Sequence, residues 1–337
     1  MGRSRGGRPP GRIAGRVPLA IVLLAVALGP RAAFAAAPPP QVQLLSKQVI
    51  PILTNQGIAH IRDGWILSGT DSPIPGTDAL VRTDEQFNVV VRSAPAIPPE
   101  WRARGYDHIG DIDVVGDAVY VPFEEPDYSK GRQATARYDV RTLRFIDAVE
   151  LPQHENSFVT VDPATRIAYT MDHFDGDALL RYDVAHGWKP LAPLRLSTLL
   201  RQTQGASVSD GAVWICTSDE HNDLYRVDLR TGHVDTIGQI TDPPGEGEGI
   251  DVTRLRSGRI HALVIDPDKT KVWVEHFSFA TPTTATTASR VGKDSSTDVG
   301  GIAAWVAGAV AFVGVVLWLA RRRMIRRREP ASTRAQS

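Results

Sequence analysis

Residues 212–232 read AVWICTSDEHNDLYRVDLRTG. An apolar run at 212–216 leads into a polar loop. An alternating run at 224–228 follows and closes on the turn pair Thr231-Gly232. This pattern reads as two short strands joined by a polar loop and ended by a turn. The second strand carries Arg226-Val227-Asp228, and the same Arg-x-Asp unit recurs from 82, 137 and 181, in LVRTD at 80–84, ARYD at 136–139 and LRYD at 180–183. The spacings are 55, 44 and 45 residues. A period of that size with only strands inside it predicts a β-propeller, one blade per repeat.

Each repeat divides into four strands. Second strands fall at 65–69, 118–123, 167–171, 212–216 and 260–265, each after a turn signal such as Asp63-Gly64 or Asp210-Gly211. First strands begin at Gln56-Gly57, Ile109-Gly110, Asn156-Ser157, Gln204-Gly205 and Glu248-Gly249. Third strands hold the Arg-x-Asp units, with 271–275 as the fifth, and fourth strands follow at 88–94, 143–149, 188–195 and 233–239. Five first strands against four fourth strands leaves the last blade one strand short. The run 42–50, ahead of the first repeat, supplies it and closes the ring without exposed sheet edges. The expected fold is therefore an all-β, five-bladed propeller over 41–280, at about 48 residues per blade. A six-bladed ring would need one further repeat. The Asp of each Arg-x-Asp unit ends a strand and suits turn capping, because an Asp carboxylate accepts from backbone N–H two residues on. Trp65, Trp214 and Trp273 suit packing between blades.

The two ends of the chain differ in composition from this body. Residues 1–35 have five early arginines, an apolar run at 17–28 and Ala33-Phe34-Ala35, the pattern of a secretory signal peptide. Residues 36–40 form a proline-rich lead-in. Residues 281–300 read as a Thr/Ser-rich stalk. Residues 301–320, GIAAWVAGAVAFVGVVLWLA, carry no charge, and six arginines follow within 321–328. That is the pattern of a single membrane-spanning helix with a basic cytoplasmic tail at 321–337. The expected location is the cell membrane, single-pass, with the propeller extracytoplasmic. The chain has a formal net charge of zero, yet residues 32–289 hold 23 basic and 35 acidic side chains, a net of −12. An anionic body repels phosphate backbones and argues against nucleic-acid partners. Cys216, the lone cysteine, permits no intrachain disulfide and sits in an apolar run that suits a buried, inert thiol.

Strand direction places the starts of first strands and the loops after second strands on one face. Four of the nine histidines, His108, His154, His173 and His221, fall there with many acids. His108 and His154, beside Asp111 and Glu155, are candidate acid–base residues. Gln56, Asp111, Glu155, Gln204, Asp172, His173 and His221 are candidate ligand-binding residues. The small residue at each first-strand start fits the crowding at a propeller axis. The polar residue before it would then join a ring at the channel mouth. Oxygens from Asn156, Gln204 and Glu248, each from a separate blade, suit in such a ring a hard cation such as Ca²⁺. No Gly-x-Ser-x-Gly elbow, Walker loop or His-Glu-x-x-His motif occurs.

The Tyr-Asp and Val-Asp blade ends and Glu248-Gly249-Ile250 resemble the secreted β-propeller superfamily of gluconolactonases, paraoxonase-type lactonases, strictosidine synthase-like proteins and esterase-like phytase relatives. The resemblance implies channel-mouth Ca²⁺ held by Glu248 and Asn156, with Asp111 as a looser match. Three functions follow as expectations. The first is binding of an extracytoplasmic small molecule, glycan or protein through the acidic face. The second is a metal-dependent, lactonase- or esterase-like hydrolase using the same channel mouth. The third is a cell-envelope assembly module.

Overall fold

Alternating side chains along each repeat build antiparallel sheets, and the turn signals set where each strand reverses. A computed structural model describes residues 41–70, 77–240, 245–252 and 257–280. Five sheets are present, one per repeat. Blade 1 is β2 (Gly57–Ile61), β3 (Gly64–Thr70), β4 (Asp78–Thr83) and β5 (Val89–Ser93). Blade 2 is β6 (His108–Ile109), β7 (Asp113–Val115), β8 (Ala118–Glu124), β9 (Gln133–Asp139) and β10 (Phe145–Leu151). Blade 3 is β11 (Thr160–Val161), β12 (Ile167–Thr170), β13 (Gly176–Asp183) and β14 (Lys189–Leu200). Blade 4 is β15 (Thr203–Ser209), β16 (Ala212–Thr217), β17 (Asp223–Asp228) and β18 (Val234–Gln239).

Blade 5 takes β19 (Glu246–Asp251), β20 (Arg259–Ile265) and β21 (Val272–Ala280) from the end of the repeat region, and β1 (Gln41–Ile50) from its start. The register runs antiparallel from Gln41 opposite Ala280 to Ile50 opposite Val272. The strand missing from the last repeat is thus supplied by the N-terminal segment, as the count requires. Gln41 and Ala280 lie at the same end of the blade, on the face of the 1–2 and 3–4 turns.

The repeated Asp acts as a turn cap. Asp139 Oδ1 accepts from Arg141 N, Thr142 N and Thr142 Oγ1, and Asp228 Oδ1 accepts from Arg230 N, Thr231 N and Thr231 Oγ1. Asp84 and Asp183 cap their own turns in the same way. The repeated Arg pairs with acids nearby: Arg82 with Asp63, Arg137 with Asp147 and Arg226 with Asp235. Aromatics fill the seams. Trp65 stacks on Phe87 at 5.5 Å and meets His261 of blade 5 edge-on at 5.0 Å. Trp214 of blade 4 meets Phe279 of blade 5 at 4.7 Å.

At the axis the repeat is broken once. Four blades place Ile58, Phe158, Ala206 and Ile250 just after the small residue, and blade 2 places Asp111 there. Its carboxylate accepts from Ile58 N at 3.0 Å, Ala206 N at 3.0 Å and Ile250 N at 3.3 Å. Its backbone leaves the blade 2 ladder and pairs in parallel with Phe158, Asp111 N donating to Ser157 O at 2.8 Å. One residue therefore bonds all four other blades, and the first strand of blade 2 is split into β6 and β7 around it. The glycines next to it have no spare room. A Cβ on Gly205 would lie 2.5 Å from Asp111 Oδ2 and 2.7 Å from the Gly249 Cα. A second tier of seam bonds lies below: Val161 N to Asp113, Val208 N to Thr160 Oγ1, Val252 N to Ser207 Oγ and His60 N to Asp251.

The segments read as signal peptide, lead-in at 36–40, stalk, membrane-spanning helix at 301–320 and tail at 321–337 lie outside the described residues. Among the described residues no helix is long and apolar enough to cross a membrane. One short helix that the sequence pattern did not signal, α1 (Pro99–Arg102), precedes blade 2 and buries Trp101.

Candidate functional site at the channel mouth

First strands begin and second strands end on the same face, so their termini surround the axis. There they line a cavity of about 320 Å³. Blade 1 contributes Gln56, blade 4 contributes Gln204, and blade 2 contributes His108, Glu124 and Tyr128. Blade 3 contributes His173 and Phe174, and Gly110 and Ser157 lie at its base, next to Asp111. The cavity thus ends where the innermost strands meet at the axis.

Four candidates from the sequence, Gln56, His108, His173 and Gln204, line this cavity. Gln204 is oriented by Ser218, to whose Oγ its Nε2 donates at 3.1 Å. His173 Nδ1 lies 2.8 Å from the Thr203 carbonyl oxygen. A carbonyl only accepts, so Nδ1 carries a proton and donates it to this bond, leaving Nε2 for the cavity. Glu155 and Asp172 are not in the lining but flank His173 and Phe174 in chain and contact. Glu155 Oε2 accepts from Phe174 N at 2.9 Å, holding that ring beside His173, while Asp172 is half-buried and raised in pKa, by burial first and by the charge of Glu155 second.

The other candidates stand elsewhere. His154 is exposed and is held outside the cavity lining, its Nδ1 bonded to Tyr128 O at 2.9 Å. His221 is exposed on the turn capped by Asp219. Asn156 turns into the seam with blade 2, where its Nδ2 donates to Ala134 O at 2.7 Å. Asp111 lies at the axis, below the mouth.

Glu124 and Tyr128, which line the cavity, were not among the residues singled out for a role by the sequence. Glu124 is buried, and burial pushes its carboxyl up to about 7, against the pull of His173. His108 Nε2 is 3.9 Å from Glu124 Oε2. Burial lowers the pKa of His108, opposed by the charges of Asp78 and Asp107. Asp78, on β4 behind His108, is itself raised to about 6 by burial, opposed by His108 and by Arg102 of α1, whose Nη2 donates to it at 3.0 Å. Near neutral pH the cavity therefore holds a carboxyl able to give a proton and an imidazole able to take one. A pair of acids in a loop was the only sequence signal for Glu124. For Asp78, on a third strand, there was none.

The donors read for Ca²⁺ are partly engaged within the fold. Both Asp111 oxygens already accept backbone N–H groups. Asn156 Oδ1 and Glu248 Oε2 are buried without a hydrogen bond, and Gln204 lines the cavity with its Nε2 turned to Ser218. The Glu248 carboxyl is pushed well above its usual range by burial and then by the charge of Glu246. Among the described residues, no group of three His, Cys, Asp or Glu side chains is arranged to hold a metal ion.

No family model matches the chain, and no curated protein does. Among solved structures, the propeller of Dos1 is similar at 14% identity, covering 66% of this chain and 67% of that one, with a TM-score of 0.36. The blade count rests on the sheet topology and the register, not on that likeness.

Proposed function

We propose that this chain is a membrane-tethered, extracytoplasmic propeller that binds a small polar ligand at the channel mouth. The observation that carries this reading is the convergence of Gln56, His108, Glu124, His173 and Gln204, from four blades, on one cavity that ends at the axis. Two amides, an imidazole acceptor and a carboxyl beside the rings of Tyr128 and Phe174 suit a neutral, hydroxyl-rich molecule such as a sugar. The acidic rim disfavours anions. Propellers serve many functions, so the fold alone selects none.

The test is calorimetric titration of the full chain in nanodiscs with neutral sugars, amino sugars and sugar acids. Binding of the neutral or amino members, weakened about tenfold by Gln204→Leu and by Phe174→Ala, supports the reading. Equal binding by the variants, or preference for the acids, overturns it. A second reading, a hydrolase, draws on the Glu124–His108 pair. It predicts turnover of lactone or ester substrates that Glu124→Gln abolishes while ligand binding persists.

A further inference from the structure

A second hollow, of about 750 Å³, opens on the face opposite the mouth, between blades 1 and 2. Its position follows from the fold: the 1–2 turns of both blades and the 3–4 turn of blade 2 surround it. Three arginines reach it: Arg62 from the blade 1 turn, Arg82 from β4 and Arg141 from the blade 2 turn. Its apolar wall is Ile61, Val114 and Val140.

Arg82 is partly engaged by Asp63, and the charge of Arg141 is felt by the turn-capping Asp139. The guanidinium groups of Arg62 and Arg141 make no hydrogen bond or ion pair with other described residues. Arg82 donates from Nη2 to Asp63 Oδ2 at 2.6 Å, while its buried Nε finds no acceptor. A planar fork of N–H donors matches a carboxylate or phosphate, and here two exposed guanidinium groups and a buried, unpartnered Nε converge on one hollow. The geometry of a propeller does not produce such a cluster by itself. The corresponding hollow between the turns of blades 2, 3 and 4 holds Asp113, Asp162 and Asp210 and no cation. Asp117 is the one acid on the arginine hollow that has no ion pair.

We propose that this hollow is a binding site for an amphiphilic anion: a phosphate or carboxylate head held by Arg62, Arg141 and Arg82, with a short apolar portion against Ile61, Val114 and Val140. The site is separate from the channel mouth and does not depend on the function proposed for it. Free phosphate esters and anionic lipid headgroups share this chemistry.

The test uses the full chain in phosphatidylcholine nanodiscs, titrated calorimetrically with butyl phosphate, inorganic phosphate and butanol. Butyl phosphate binds tightest of the three. Arg62→Gln and Arg141→Gln each weaken it by about tenfold, as expected for loss of a charge-assisted bond. Asp117→Asn tightens it, because a competing carboxylate is gone. Both arginines are exposed, so these variants fold, and unchanged melting curves confirm it. Nanodiscs containing an anionic phospholipid separate the sources. Loss of butyl phosphate binding in them assigns the site to lipid headgroups, and retention assigns it to soluble esters. Butyl phosphate binding no tighter than butanol, or unchanged in both arginine variants, overturns the proposal.

Discussion

Replacing Asp111 by Asn tests whether the axis is held by one carboxylate. The native side chain accepts from Ile58 N on Oδ1 and from Ala206 N and Ile250 N on Oδ2. Asn keeps the shape but has only one oxygen. Its better orientation keeps that oxygen on Ala206 and Ile250 and turns the NH₂ group toward Ile58 N, donor against donor. A buried backbone N–H stripped of its acceptor costs about 1–3 kcal/mol. Asp111→Asn should therefore lose about 2 kcal/mol. Asp111→Ala strips all three donors and should lose about 3–9 kcal/mol, a large part of the stability of a typical domain. The assay is urea unfolding followed by tryptophan fluorescence. At a slope of about 3 kcal/mol/M, the Asn variant unfolds about 0.7 M earlier with the slope unchanged. A midpoint at or above that of the native protein would refute the reasoning. It would mean that the cost of burying the carboxyl, which raises its pKa well above the usual range, outweighs the bonds it makes.

Stability should fall on both sides of a mildly acidic optimum. Glu124 and Asp78 have raised pKa values, about 7 and about 6, so the stability they favour is full below pH 4 and is lost as pH rises through those values. Glu124 accounts for about 3 kcal/mol of that loss at the upper limit, and Glu124→Gln should flatten the alkaline limb in unfolding curves taken from pH 5 to pH 8. On the acid side the turn caps Asp84, Asp139, Asp183, Asp228 and Asp266 have lowered pKa values, so their contribution is present above the ordinary carboxylate range and is lost as pH falls. Cys216 is fully buried, and burial drives its pKa well up, so it should resist a thiol reagent in the native protein and react once urea unfolds the chain.

The blade count, the closing role of the N-terminal strand and the turn-capping aspartates were legible in the sequence because each rests on short-range pattern. Alternation, turn pairs and the Arg-x-Asp spacing are properties of a few neighbouring residues. The small residues at the first-strand starts were legible too, since the crowding at the axis follows from the ring itself. The site was legible in part. Gln56, His108 and Gln204 lie at first-strand starts and His173 in the loop after a second strand, and strand direction brings both kinds of position to one mouth. Asn156 and Glu248 precede the small residue in their blades yet are absent from the cavity lining: Asn156 bonds the Ala134 carbonyl, and β19 is irregular between Gly247 and Gly249. Asp111 was read as a ligand-binding and metal-ligating residue at the mouth. The mouth residue precedes the small residue and Asp111 follows it, two positions along the strand, where the other blades carry Ile58, Phe158, Ala206 and Ile250.

Departures from the repeat concentrate in blade 2. Its first strand is split by Asp111, its 2–3 loop is long and carries Tyr128, its second strand ends in Glu124, and its turns supply Val140 and Arg141 to the opposite hollow. A ring of five similar blades can tolerate this because neighbours supply the bonds that the irregular blade gives up. Asp111 N leaves the β8 ladder and is satisfied by Ser157 O of blade 3, and its carboxylate satisfies three N–H groups of other blades in return. The same exchange that frees the first strand of blade 2 from its ladder sets His108 at the mouth and Asp111 at the axis, three residues apart. Stability and site geometry therefore pass through one short segment, 108–111. Substitutions at Asp111 should disturb the mouth as well as the fold, whereas substitutions at His108 should disturb the mouth alone.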